Sequence, residues 1–257
     1  MSIDWPRFCE LIHQHQNYLL ISHVRPDCDA LGSELGMLGI LEHLGKRVRI
    51  CNGHPTPQSL SFIDPENRIG VLGETHKASD FDDVDCILIL DTSAWAQLGS
   101  MGDVVKASKA KKMILDHHLS EDDLGAEAFK NVKAEAAGRL VMEAASELKV
   151  PVTARIAMPL FAAIATDTGW FRFGSASSYT YRMAADMIDS GRSPCRFTTS
   201  FTSKIRWPSS FAGSDLGPDC GRRRGSLGPY LCAEGRFSVD RCTAKRHRRC
   251  SEHLLVD

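Results

Sequence analysis

Seven residues, His23-Val24-Arg25-Pro26-Asp27-Cys28-Asp29, place one imidazole and two carboxylates directly after an apolar segment over 18–21. That is the donor set and spacing of a metal site. Three further clusters follow, each at the end of an apolar run: Asp91 after Ile87-Leu88-Ile89-Leu90, Asp116-His117-His118 after Met113-Ile114-Leu115, and Asp167 after Phe161-Ala162-Ala163-Ile164-Ala165. Four clusters at four such ends point to one shared site. So many carboxylates in one cleft repel one another unless cations neutralise them, and carboxylate with imidazole suits Mn²⁺ or Mg²⁺ better than a thiolate site would. Two divalent cations are therefore expected, Mn²⁺ before Mg²⁺.

Each cluster has a plainer use when taken alone. Asp27 and Asp29 fit a turn and an N-cap for a helix opening at Ala30. Asp91 fits a cap for the next helix, Asp167-Thr168-Gly169 fits a turn, and a lone histidine beside a strand end is commonly a hydrogen-bonded surface residue. Their joint occurrence in this order is what favours a site.

The elements that must position these residues are legible through residue 191, where short apolar runs alternate with helical patterns. That alternation predicts an α/β fold, a parallel sheet with helices on both faces. Strands are expected over 18–22, 47–51, 85–90 and 111–115. The clearest helix spans 30–44, where Leu31, Leu35, Leu38 and Leu41 recur at spacings of four and three. Further helices are expected over 2–16, 138–149, 153–166 and 177–190, with Pro159 kinking or shortening the helix over 153–166. In an open α/β sheet, ligands bind beyond the carboxyl ends of the strands. His23, Asp27, Asp29, Asp91 and His117 all follow such ends.

The chain has 257 residues, 43% of them hydrophobic, enough for a sizeable core in one domain or a domain and a half. No apolar run approaches the roughly 20 residues of a membrane span. The first six residues have neither the basic start nor the apolar core of a signal peptide, so a cytoplasmic location is expected. Nine cysteines at irregular spacing read as reduced thiols without a zinc pattern. Net charge is −1, yet residues 1–191 carry 18 Lys+Arg against 26 Asp+Glu while 192–257 carry 13 against 6. Two regions follow: a catalytic domain over 1–191 and an Arg/Cys/Ser-rich tail over 192–257.

The pattern resembles the DHH phosphoesterases. His23-x-x-x-Asp27-x-Asp29, Asp91-Thr92-Ser93, Asp116-His117-His118 and Asp167-Thr168-Gly169-Trp170-Phe171 match that family's four signature motifs in order, from residue 18 to about 190. Their compact spacing, and the Asp-Thr-Gly-x-Phe form of the last, look most like the bacterial branch that hydrolyses short oligoribonucleotides and 3′-phosphoadenosine 5′-phosphate (pAp). The resemblance implies that His23 and Asp27 bind one metal, that Asp29, His117 and Asp167 bind the second, and that Asp91 bridges them. It places His118 against the substrate phosphate and Asp116 behind the histidines, orienting them. Arg25, inside the first motif, is a further candidate phosphate contact.

Such an arrangement suits phosphate-ester or anhydride hydrolysis. Two cations roughly 3.5–4 Å apart can lower the pKa of a bound water, hold a phosphoryl group in line with it and neutralise charge on the leaving oxygen. Protonated His118 would stabilise the phosphoryl oxygens or the leaving group, with Asp116 and Asp91 completing the catalytic set. Expected partners are a small nucleotide or short single-stranded RNA as substrate and a second copy of the chain, with no membrane. Two rival readings are a catalytically dead metal- or nucleotide-binding remnant and an inorganic pyrophosphatase or exopolyphosphatase of the same superfamily.

The tail departs from the resemblance. Members of the branch carry a C-terminal substrate domain with a Gly-Gly-Gly-His type motif, and nothing between 192 and 257 resembles it. Gly221-Arg222-Arg223-Arg224-Gly225 could trap phosphate, and a basic tail could be a nucleic-acid or disordered arm. The favoured expectation is a frameshift near Pro194 or Cys195. Phe201-Thr202-Ser203-Lys204-Ile205-Arg206-Trp207-Pro208 can be encoded so that reading from the third base gives Y-E-Q-D-S-L-A, a helix-like segment. In that reading 195–257 carry no evolved core, and phosphatase activity is weak at best because nucleotide positioning is lost.

Overall fold

The computed structural model describes residues 3–190. Every sequence reading of the 192–257 tail lies outside the described residues. The chain order is α1 (Trp5–Gln14), β1 (Asn17–Ile21), α2 (Cys28–His43), β2 (Arg47–Asn52), β3 (Ile69–Val71), β4 (Cys86–Leu90), α3 (Trp95–Leu98), α4 (Met101–Ala107), β5 (Lys111–Asp116), β6 (Glu127–Lys130), α5 (Ala137–Glu147), α6 (Ala154–Asp167) and α7 (Ser178–Asp189). All pairings are parallel, in the order β3-β2-β1-β4-β5-β6. The chain direction across the sheet reverses between β1 and β4, which pair at Leu20 with Leu88. A doubly wound sheet opens its ligand crevice at such a switch.

Both faces are covered, so the central strands are apolar throughout rather than alternating. β4, Cys-Ile-Leu-Ile-Leu, is buried at all five positions. Cys86, Leu88 and Leu90 pack with residues of α2, α5 and α6, while Ile87 and Ile89 pack with Leu98, Met101 and Val105 of α3 and α4. The predicted α/β fold is thus present, with four strands where the sequence places them. Two short strands, β3 and β6, and the helices α3 and α4 were not anticipated. Cys9, Cys28, Cys51 and Cys86 are free thiols, and no helix among the described residues is long and apolar enough to cross a membrane.

α2 carries the first acidic cluster into the core and is buried from Cys28 to Leu41. Its glycines at 32, 36 and 39 face α6. A methyl group at Gly32 would run into the carbonyl oxygen of Pro159, and one at Gly36 into the Leu160 side chain. α6 continues through Pro159, so the expected shortening does not occur; the helix runs unbroken to Asp167. Gly32→Ala is expected to cost about 1–3 kcal/mol, the usual cost of overpacking, because a backbone oxygen cannot swing aside as a side chain can. Urea midpoints would register it; unchanged midpoints would mean that the two helices can separate freely.

Candidate metal centre

β1 ends at Ile21 and the chain turns through Ser22 into His23. That turn is braced from below: the Ser22 amide and hydroxyl donate to Asn52 Oδ1 at 3.0 and 3.3 Å, and Asn52 Nδ2 donates to buried Glu34 Oε2 at 2.9 Å. Burial lifts the Glu34 carboxyl to about 7, against the hydrogen bonds of Asn52 and Ser22. Asp27 is the N-cap of α2, its Oδ1 accepting from the amides of Asp29 and Ala30 at 2.9 and 3.0 Å. The plain capping role is therefore real, and the same oxygen lies 3.8 Å from His23 Nε2.

Asp29 is held differently. Its Oδ2 accepts from the Ala137 amide at 2.7 Å and its Oδ1 from Gly138 at 2.9 Å, so a carboxylate on α2 satisfies the first free amides of α5. Ala136, which precedes α5, has no side chain to do so. Burial, together with the carboxylates of Asp91 and Asp167, nonetheless pushes the Asp29 carboxyl well above the usual range.

Asp91 follows β4 in the left-handed region, φ 61°, which Asp tolerates better than most residues. It is 2% exposed. Its Oδ2 lies 3.5 Å from His23 Nε2 and its Oδ1 3.3 Å from His117 Nε2. Oδ1 makes no hydrogen bond despite complete burial. His117 Nε2 also lies 3.7 Å from Asp29 Oδ2 and 3.8 Å from Asp167 Oδ2. His23, Asp27 and Asp91 thus form one group able to hold a cation, and Asp29, His117 and Asp167 a second, with Asp91 reaching both.

The donor chemistry fits divalent metals. His23 Nδ1 faces the Val24 carbonyl at 3.0 Å and His117 Nδ1 the Ala134 carbonyl at 3.2 Å. A carbonyl only accepts, so each Nδ1 carries a hydrogen and each Nε2 is left for the cleft, the arrangement usual in metal-binding histidines. Orphaned Asp91 Oδ1 is a further acceptor awaiting a cation.

Burial pushes both imidazole pKa values down. The nearby Asp91 carboxylate outweighs it, with the Val24 carbonyl helping at His23 and Asp29 at His117, and both reach about 9. Asp91 is held low by the same two histidines against its own burial. In the metal-free protein these raised values stabilise the fold fully below pH 6.5, the value of free imidazole, and that stabilisation is lost as pH rises through 9. A cation must displace the same protons. Mn²⁺ affinity measured by calorimetry is therefore expected to rise about tenfold per pH unit for each displaced proton, levelling above pH 9. A flat profile would mean that both imidazoles are already neutral.

His118 is half exposed and differs from the other two. Its amide and Nδ1 both donate to Asp116 Oδ1, at 3.1 and 2.8 Å, which leaves Nε2 as its free ring nitrogen. Hydrogen bonding to Asp116 raises its pKa. Asp116 is fully buried, and although burial opposes it, hydrogen bonds from His118 and Ser93 bring its carboxyl to about 2. The cleft has a volume of about 250 Å³ and is lined by His23, Asp27, Asp91, His117, His118 and Asp167, together with Thr92, Ser93, Ala94, Gln97 and Ser120. Asp29 lies behind this wall, and Asp116 supports it from β5. Arg25 is exposed and stands outside the lining residues. Sequence reasoning did not single out Gln97, Ser93, Ser120 or Glu34. Ser93 sits within the second motif, but Gln97 and Glu34 have no motif to mark them.

A parallel doubly wound sheet with carboxylate and imidazole donors gathered at its switch point defines the class: the chain belongs to the DHH family, whose N-terminal domain matches residues 17–164. The chain is 29% identical over 181 residues to the bifunctional oligoribonuclease and PAP phosphatase NrnA of Bacillus subtilis, covering 69% of this chain and 54% of that protein. It therefore spans about half the length of the curated relative it matches. Among solved structures it is similar to an exopolyphosphatase-related protein from Bacteroides fragilis, with a TM-score of 0.73 and 22% identity over 79% of this chain and 61% of the other. A putative family II inorganic pyrophosphatase from Methanococcus jannaschii has a TM-score of 0.54 and 17% identity over 73% and 61%. At these identities the likeness is one of fold.

Proposed function

We propose that the chain is the catalytic part of a metal-dependent phosphoesterase acting on pAp and short oligoribonucleotides. The observation that carries this reading is Asp91, a buried carboxylate with one oxygen toward His23 and the other toward His117. His23, Asp27 and Asp91 would hold one divalent cation, and Asp29, His117, Asp167 and Asp91 the other, with Mn²⁺ favoured by the mixed donors. When bound, such a pair supplies an activated water near neutral pH and neutralises phosphoryl charge.

The remaining steps belong to the chain itself. His118, whose protonation Asp116 favours, would present Nε2–H to a phosphoryl or leaving oxygen. Asp29 is fixed by the first amides of α5, and Asp27 by those of α2, so neither carboxylate needs reorganising when substrate arrives. The cleft lies below the roughly 300–1,000 Å³ typical of a ligand pocket. It suits a phosphate and its cations and leaves base and ribose to another surface. The identity with the Bacillus protein, a bifunctional oligoribonuclease and PAP phosphatase, favours nucleotide over inorganic substrates.

The deciding experiment compares phosphate release from pAp, a short oligoribonucleotide and pyrophosphate at equal Mn²⁺. The nucleotides should be turned over and pyrophosphate should not. Faster pyrophosphate turnover would overturn the substrate assignment, and no Mn²⁺-dependent release from any of the three would favour a metal-binding remnant. We further propose that residues 1–191 form the catalytic domain and that the 192–257 segment stands, out of frame, where a substrate domain belongs. The shift in composition at 192 supports this.

A further inference from the structure

Lys130, the last residue of β6, belongs to none of the four motifs, and its side chain is only 11% exposed. Its ammonium donates to Ser93 Oγ at 2.7 Å and to the Ser120 carbonyl at 2.8 Å. Two carboxylates lie just beyond, Asp116 Oδ2 at 3.4 Å and Glu121 Oε2 at 3.5 Å. Three ammonium hydrogens thus have a hydroxyl, a carbonyl and a carboxylate pair to meet. Ser93 accepts from Lys130 and has one hydrogen of its own. Two acceptors lie within reach of it, Asp116 Oδ2 at 2.8 Å and the Ser120 carbonyl at 2.6 Å; the Ser120 carbonyl already accepts from Lys130, and the charged acceptor makes the stronger bond. The other oxygen of Asp116 takes both donors of His118. Lys130, Ser93, Asp116 and His118 therefore form one chain of directed hydrogen bonds from the edge strand to the cleft.

We propose that Lys130 is a positioning residue for His118: through Ser93 and Asp116 it sets the direction in which the His118 ring faces the phosphate, and through the Ser120 carbonyl it anchors the loop that follows. A largely covered ammonium is costly unless it is partnered, and two of its partners, Ser93 and Asp116, connect it to His118. None of these hydrogen bonds and ion pairs of Lys130 involves His23, Asp27, Asp29, Asp91, His117 or Asp167. Its loss should disturb the histidine and spare the cation donors. The proposal rests on the reading of His118 as the group facing phosphate.

The test uses the full 257-residue chain and its Lys130→Met variant, which keeps the apolar stem and removes the charge. In the wild-type protein the His118 Nδ1–H held by Asp116 should give a slowly exchanging, far-downfield proton resonance. Lys130→Met should lose it while Mn²⁺ affinity by calorimetry stays within about twofold. With pAp as substrate, kcat should fall about 10- to 100-fold, the usual range for outer-shell partners, with KM changing much less. Lys130→Arg should restore part of the loss. Added to Asp116→Asn, Lys130→Met should cost almost nothing more, because both act through one chain.

Retention of the resonance and of kcat in Lys130→Met, or full additivity with Asp116→Asn, would overturn the proposal. Should Lys130→Met fail to fold, Ser93→Ala breaks the same chain while keeping the charge, and an intact resonance there would also overturn it. Failure of the functional reading looks different: His118→Ala would then leave phosphate release unchanged, whatever the resonance shows in Lys130→Met.

Discussion

Asp91→Ala is expected to reduce Mn²⁺-dependent phosphate release from pAp by about three orders of magnitude or more. The estimate follows from the several kcal/mol of transition-state charge stabilisation that bound cations supply, each 1.36 kcal/mol being about tenfold in rate. Among the described residues, Asp91 is the carboxylate whose two oxygens face both donor groups, so its removal weakens both at once. The backbone adds a second effect, since alanine at a φ of 61° is strained by about 1–2 kcal/mol. Asn, which tolerates that conformation, separates the two contributions. Asp91→Asn should keep the melting temperature of the metal-free protein near that of the parent while losing turnover and the Mn²⁺-induced rise in melting temperature. An Asp91→Asn protein with full Mn²⁺ affinity and turnover would remove the basis of the proposed function.

The second large effect concerns the tail. The nucleotide sequence across codons 190–215 is expected to stay open in the frame that starts at the third base, encoding Y-E-Q-D-S-L-A opposite residues 201–208. A gene restored to that frame should yield a protein that hydrolyses pAp at least about a hundredfold faster than the 257-residue chain, because small errors in positioning alone cost that much. The gain should appear without any change in Mn²⁺ affinity, as every proposed cation donor precedes residue 168. Stop codons in both alternative frames would refute the frameshift and make the Arg-rich tail a genuine part of the protein.

The legible parts of this molecule are those buried on both sides. β1 and β4 sit at the centre of the sheet and read as unbroken apolar runs, so their ends, and with them His23 and Asp91, could be placed from the sequence. β3 and β6 are edge strands of three and four residues, Ile-Gly-Val and Glu-Ala-Phe-Lys, the first too short and the second too polar to announce itself. Lys130 was missed with β6, since a lone lysine has no meaning until the strand sets it beside Ser93 and Asp116. The grip of Asp29 on α5 was invisible for a related reason: capping is normally read from adjacent residues, and here the cap comes from a helix far back in the chain. Pro159 misled in the opposite direction. Local chemistry argues for a kink or a shortened helix, yet α6 runs through Pro159 to Asp167, with Gly32 of α2 against the Pro159 carbonyl.

The reversal of the sheet between β1 and β4 has a consequence for how the protein comes into being. His23, Asp27 and Asp29 emerge from the ribosome well before Asp91, His117 and Asp167, and β1 cannot find β4 until the intervening β2 and β3 have been made. Neither proposed cation group lies wholly in the first half of the sheet. A cation held there would bind the two halves to each other, and its affinity would add to the docking of one half-sheet on the other rather than to the stability of either alone. The chain would acquire its chemistry and its final cohesion in the same event.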